Sequence, residues 1–145
     1  MRTVIQRVSR ASVSVDGRTV ADIGLGLVIL LGVGQVDGDE QAAYLAKKIA
    51  NLRIFEDDAG KMNRSVLDVD GEAIVISQFT LYADTRKGRR PSFIDAGNPQ
   101  DAELLVESFV GYLSDSGVAT QTGKFGAHMQ IDLVNDGPVT IWMEK

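Results

Sequence analysis

The stretch LGLVILLGV, residues 25–33, constrains this chain more than any other. It is continuously apolar, broken by Gly26 and Gly32, and too short to span a bilayer, so it reads as a strand covered on both faces. A sheet with material packed on each side is therefore required. At 145 residues the chain can bury one such core but not two, and we expect one domain over residues 1–145.

The segments around this strand supply the covering layers. Residues 3–15 follow an imperfect period of two and run into SVSVDGRTVADIG, which reads as a hairpin turning at Asp16-Gly17. In residues 38–52 the period changes: Ala42, Leu45, Ala46 and Ile49 fall on one face and Lys47 and Lys48 on the other, which predicts an amphipathic helix. A second helix is predicted from Asn98, where Asn98 can cap, Pro99 suits the first position and Asp101 favours the positive end. Its apolar stripe of Ala102, Leu105, Val106, Phe109 and Leu113 stops near Gly117. GEAIVISQFTL reads as a strand, with Ser77 and Phe79 on one face and Gln78 and Thr80 on the other. The tail reads as three strand-like segments, VATQTG, AHMQIDLVND and PVTIWMEK, with a turn at Asp136-Gly137-Pro138. Together these predict an α+β domain: a largely antiparallel or mixed sheet, curled or barrel-like, with two amphipathic helices packed on it.

Composition narrows the chemistry. Cysteine is absent, which removes disulfides and thiolates and points to the cytoplasm, and the arginines at 2, 7 and 10 do not suit a signal peptide. No membrane segment is expected. One histidine, His128, and scattered acidic residues leave no recognisable metal-ligand set, so neither a metal nor another cofactor is expected. His128 lies in the alternating AHMQIDL and is read as one face of a strand rather than as a catalytic base. The glycines at 24, 26, 32 and 34 form no nucleotide-binding loop.

What remains is a polar strand end followed by a basic loop, SQFTLYADTRKGRRPSF at residues 77–93. A chain of formal net charge -5 disfavours broad contact with a polyanion, yet Arg86, Lys87, Arg89 and Arg90 cluster in that loop. Such a spot suits one polyanionic contact at a defined place, or else is simply a solvated loop. From the residues alone, an RNA-end or nucleotide-binding module and a small esterase or amidase using Thr80 both stay open.

Five segments carry a resemblance. MRTVIQRVSRASV, RIFEDDAGKMN, SQFTLYADTRKGRRPSF, TQTGKFGAHMQIDL and LVNDGPVTIW resemble, in order and spacing, the D-aminoacyl-tRNA deacylases over essentially the whole chain. The resemblance implies a homodimer acting on D-aminoacyl-tRNA, with both active sites at the subunit interface; steric rejection of L side chains at Cα would leave glycyl-tRNA a substrate as well. It implies that Gly137 and a cis-Pro138 of one subunit reach into the pocket of the other, where their carbonyls hold the substrate amino group. Ser77, Gln78, Phe79 and Thr80 would line that pocket, with Phe125, Met129 and Thr140 nearby, and Arg7 would steady the Gly-Pro element. Because they follow the pocket strand at once, Arg86, Lys87, Arg89 and Arg90 are expected, from their position rather than from the resemblance, to hold phosphates of the acceptor end.

The implied chemistry suits a chain poor in reactive side chains. An aminoacyl ester is already activated, and its hydrolysis needs orientation, an oxyanion donor and a water. Two routes are open: assistance by the tRNA 2'-hydroxyl with backbone N–H groups near Phe79 and Thr80 as donors, or direct attack by Thr80 or Thr140. The first is preferred because no base for a threonine is evident.

Overall fold

A computed structural model describes residues 1–145. Three strands open the chain, β1 (Arg2–Val15), β2 (Arg18–Ile23) and β3 (Gly26–Gly32). Between β1 and β2, Asp16 and Gly17 take φ of 50° and 75°, the paired positive angles of a tight hairpin. Helix α1 (Asp39–Ala50) leads to a small hairpin of β4 (Phe55–Glu56) and β5 (Met62–Arg64), then to β6 (Glu72–Ser77). Helix α2 (Pro99–Asp115), β7 (Ala119–Thr122) and β8 (Gln130–Glu144) complete the chain.

The main sheet is mixed. β3, β6 and β7 are parallel neighbours, joined through α1 and α2, whereas β1 runs antiparallel to β2, β3 and β8. As the apolar run requires, β3 is covered on both faces. Leu27, Ile29 and Leu31 pack toward α1 and α2 with Leu45, Ile49, Phe109 and Leu113, while Val28 joins Val8, Val13, Ile74 and Ile76 inside the curl of the sheet. The curl brings β2 toward β7, where the Gln121 amide bridges the strands: Asp22 N–H donates to Oε1 at 2.9 Å and Nε2 donates to the Asp22 carbonyl at 2.7 Å. The fold is thus the α+β class with a curled, barrel-like mixed sheet and two helices that the sequence predicts. No helix is long and apolar enough to cross a membrane.

Both helices form where their patterns place them. The Asn98 side chain accepts the Gln100 N–H at 2.9 Å, Pro99 occupies the first turn, and Ala102, Val106, Phe109 and Leu113 are buried. In α1 the buried face is Ala42, Leu45, Ala46, Ile49 and Ala50.

Three expectations are corrected. First, the strand ends at Ser77, and Phe79–Tyr82 is a 3-10 turn, so Gln78 and Thr80 do not share a strand face. Tyr82 draws the chain back: its hydroxyl donates to Asp37 at 3.0 Å, and the Arg2 guanidinium lies 4.4 Å from its ring centroid. Second, the tail contains no reversal at Asp136-Gly137-Pro138. Asn135 is opposite Val8 and Thr140 opposite Gln6, so β8 follows β1 on both sides and residues 136–139 bulge out against Arg7 alone. Asn135 closes this bulge by accepting the Val139 N–H at 2.7 Å and donating to the Val139 carbonyl at 3.0 Å. Third, His128 precedes β8 and sits in a loop, because the glycines at 123 and 126 interrupt the alternation before Gln130.

Candidate active site

The end of β6 opens into a cleft of about 580 Å³. Leu31, Val33 and Ile76 form its sheet side and Ala102 and Val106 its α2 side, while Phe125, His128 and Met129 belong to the segment that leads into β8. Ser77, Gln78 and Phe79 lie at the lip. Phe79 and Phe93 are both exposed and meet edge to face, with centroids 5.0 Å apart and planes at 68°. The cleft is mostly apolar with a few polar groups at its edge, the usual make-up of a small-ligand site.

Its shape depends on a missing side chain. A Cβ on Gly123 would fall 2.5 Å from the Met129 sulfur, so Met129 can occupy its present position only because residue 123 is glycine. The Gly123 N–H donates to the Val75 carbonyl at 3.0 Å, which ties this backbone to the edge of β6.

The 3-10 turn presents backbone rather than reactive side chains. Its first internal hydrogen bond runs from Leu81 N–H to the Gln78 carbonyl at 3.2 Å, so the amides of Phe79 and Thr80 have no partner within the turn. The Thr80 hydroxyl accepts from the Gln78 amide at 2.5 Å. The Thr140 hydroxyl similarly accepts from the Asn135 amide at 3.2 Å. Neither threonine is hydrogen-bonded to a carboxylate or imidazole, and no three His, Asp or Glu side chains converge as a metal-binding group.

Of the residues singled out in the sequence, Ser77, Gln78, Phe79, Phe125 and Met129 line this cleft. Thr80 adjoins it on the turn. Arg7, Gly137, Pro138 and Thr140 lie elsewhere, at the β1–β8 bulge. There the Gly137–Pro138 peptide is cis and both residues are exposed. A Cβ on Gly137 would come within 2.6 Å of Val139, so this position too excludes a side chain. Arg7 is buried beneath the bulge and donates from Nε to the Asp136 carbonyl at 2.8 Å and from Nη1 to the Ile54 carbonyl at 2.7 Å.

Arg86, Lys87, Arg89 and Arg90 form an exposed loop just beyond the lip. Arg86 is paired with Asp84, whose carboxyl it holds well below the usual range, at about 2. Sequence reasoning missed the cleft residues Ala96, Gly97, Pro99 and Val106, and it set His128 aside. Pro99 and Val106 carried only a helix signal, and nothing in their spacing showed that one side of that helix would face β6.

Comparison with known proteins identifies the family. The family model described as D-Tyr-tRNA(Tyr) deacylase matches residues 4–144. The chain is 60% identical to the D-aminoacyl-tRNA deacylase of Thermomicrobium roseum, over all of this chain and 94% of that protein. It is 62% identical to the D-aminoacyl-tRNA deacylase of Roseiflexus castenholzii, over all of this chain and 92% of that one. Among solved structures, one titled c-Myc DNA Unwinding Element Binding Protein superposes with a TM-score of 0.93 at 42% identity, covering 100% of this chain and 99% of that one. A probable eukaryotic D-amino acid tRNA deacylase shares the fold with a TM-score of 0.84 at 15% identity, covering 98% and 97% of the two chains. With a match of this extent, the chain belongs to the D-Tyr-tRNA(Tyr) deacylase family.

Proposed function

We propose that this protein is a hydrolase that cleaves the ester bond of D-aminoacyl-tRNA, releasing tRNA and the D-amino acid, and that it works in the cytoplasm. The observation that carries the reading is the apolar cleft at the end of β6, bordered by free turn amides and followed at once by a basic loop, in a chain 60–62% identical to proteins named for this activity. The acyl group would enter the cleft while the loop meets the phosphates. The amides of Phe79 and Thr80, without partners within the turn, would donate to the developing oxyanion. That both threonine hydroxyls accept from amides and neither contacts a base supports water assisted by the tRNA 2'-hydroxyl as the attacking group, rather than a threonine.

Chirality would be read at Cα by two copies acting together. The Gly137–Pro138 bulge is exposed on β8, whose one strand partner is β1, and it is absent from the lining of its own chain's cleft. In the proposed homodimer it enters the partner's cleft, where its carbonyls hold the amino group and leave no room for an L side chain. Glycine, having no side chain to exclude, is then also removed from tRNA.

A role in nucleic-acid binding without hydrolysis is the second reading, favoured by the exposed basic loop and by the 42% identical structure titled as a DNA unwinding element binding protein. Side-by-side deacylation of D-tyrosyl-tRNA and L-tyrosyl-tRNA separates the two. Release from the D form alone supports the deacylase. No release from either favours the binding module, and equal release from both removes the chiral role of Gly137 and Pro138.

A further inference from the structure

The basic loop is a closed excursion. Asp84 N–H donates to the Ser92 carbonyl at 2.8 Å and Ser92 N–H returns to the Asp84 carbonyl at 2.9 Å. Phe93 follows directly and lines the cleft. Within the excursion the four cations are not equivalent. Arg86 is gripped by Asp84 in three places: Nε to Oδ1 at 2.9 Å, Nη2 to Oδ2 at 2.7 Å, and its own backbone N–H to Oδ1 at 2.9 Å. The first two form the parallel fork that a guanidinium makes with a carboxylate. Lys87, Arg89 and Arg90 are in no ion pair, are exposed, and flank Gly88, whose φ of +70° turns the chain between them.

A carboxylate at this place is costly for a surface that only gathers charge, because it repels the phosphates the loop would meet. It makes sense if the loop's shape matters more than its net charge. The geometry points to a division of labour, resting on the reading that this loop docks the tRNA acceptor end: Lys87, Arg89 and Arg90 contact phosphates, whereas Arg86, held by Asp84, is a positioning residue that presets the loop and does not bind RNA. Ordering the loop before binding removes that entropy cost from the encounter. The fork with Asp84 leaves Arg86 with little net field of its own at the distance of a phosphate.

The test sets shape against charge. Asp84→Ala adds net positive charge to the loop, so simple attraction predicts tighter RNA binding; the division of labour predicts the opposite. Equilibrium binding of uncharged tRNA, and kcat and KM for D-tyrosyl-tRNA, are measured at several salt concentrations for Asp84→Ala, Arg86→Ala, Arg86→Lys and a triple Lys87, Arg89 and Arg90 to Ala variant. Thermal unfolding confirms that each is folded. Asp84→Ala and Arg86→Ala should each weaken tRNA binding and raise KM roughly fivefold through lost preordering, with kcat and the salt slope unchanged. Arg86→Lys, which keeps the charge but loses the fork, should behave like Arg86→Ala. The triple variant should lower the salt slope by roughly 2, from three phosphate contacts at about 0.7 each for a single strand.

Tighter or unchanged binding in Asp84→Ala, or a slope lowered in Arg86→Ala as by one lost phosphate contact, would overturn the division of labour while leaving the docking role intact. A triple variant with unchanged binding and slope would remove the docking role and the division of labour together.

Discussion

Arg7 Nε donates to the carbonyl of Asp136 at 2.8 Å, which ties the Gly137–Pro138 bulge to the middle of β1. The same side chain is 4% exposed and donates from Nη1 to Ile54, so it joins the bulge to the segment that follows α1. Arg7→Ala would leave the buried Ile54 carbonyl and the partly buried Asp136 carbonyl without their charged donor, at a cost of about 2 kcal/mol. Arg7→Lys should recover only part of this, since an ammonium cannot span both carbonyls as the planar fork does. Denaturant melts of the three proteins give the comparison, and a loss in Arg7→Ala below about 1 kcal/mol would show that the bulge holds itself.

The hydrogen bonds of the two threonines bear on mechanism. Thr80 and Thr140 both accept from neighbouring amides and contact no base. Thr80→Ala, Thr140→Ala and the double variant should therefore keep kcat to within about tenfold of the parent. Loss of more than about a thousandfold, together with an acyl-enzyme trapped in the parent, would instead make a threonine the nucleophile.

Gly123 sets the position of Met129. Gly123→Ala should displace the Met129 sulfur, 2.5 Å from the new Cβ, and because that side chain is flexible and half-buried the cost in stability should stay below about 1 kcal/mol while KM rises. Adding Met129→Ala should return part of the loss, because the clash partner is gone. If the double variant is as impaired as the sum of the singles, the contact is not the cause.

Tyr82 anchors the turn that carries Phe79 and Thr80. Burial, then the hydrogen bond and charge of Asp37, push its phenol well above the usual tyrosine range. A raised folded-state value means that its contribution to stability is complete below about pH 10 and is lost as pH climbs from there toward the raised folded-state value, at up to about 1.4 kcal/mol per pH unit. Tyr82→Phe should cost about 1 kcal/mol at neutral pH through the lost bond to Asp37, and the deficit should shrink in alkali. Unfolding midpoints at neutral and alkaline pH measure this; a deficit constant across the range would contradict it.

Asp84 gives the opposite sign. Its carboxyl is lowered to about 2 by the hydrogen bonds and charge of Arg86, so whatever the pair contributes is present above about pH 4 and fades only as pH falls through the lowered value. The Asp84–Arg86 pair should stay ionised between about pH 5 and pH 9, and tRNA affinity should show no step there from this pair. Affinity titrations of the parent and Asp84→Ala at three pH values would expose any such step as a difference between them.

Much of the architecture was legible locally. The hairpin at Asp16-Gly17, both helices with their buried faces, and the doubly covered strand at 26–32 each follow from alternation, capping or turn chemistry carried by neighbouring residues. The two site motifs were legible as well, but only as patterns.

What the tertiary structure alone decided concerns partners far apart in the chain. SQFTL keeps a strand's composition through Leu81, yet the turn forms because Tyr82 finds Asp37, Arg2 and Gly34. NDGP has the look of a reversal, but Val8 and Gln6 of β1 pair on either side of it and turn it into a bulge. The cleft is assembled from β3, β6, α2 and the approach to β8, and no spacing along the chain records that meeting. Periodicity reports which face of a segment is apolar; it cannot report which distant segment covers that face or which backbone groups are left free, and here those decide the site.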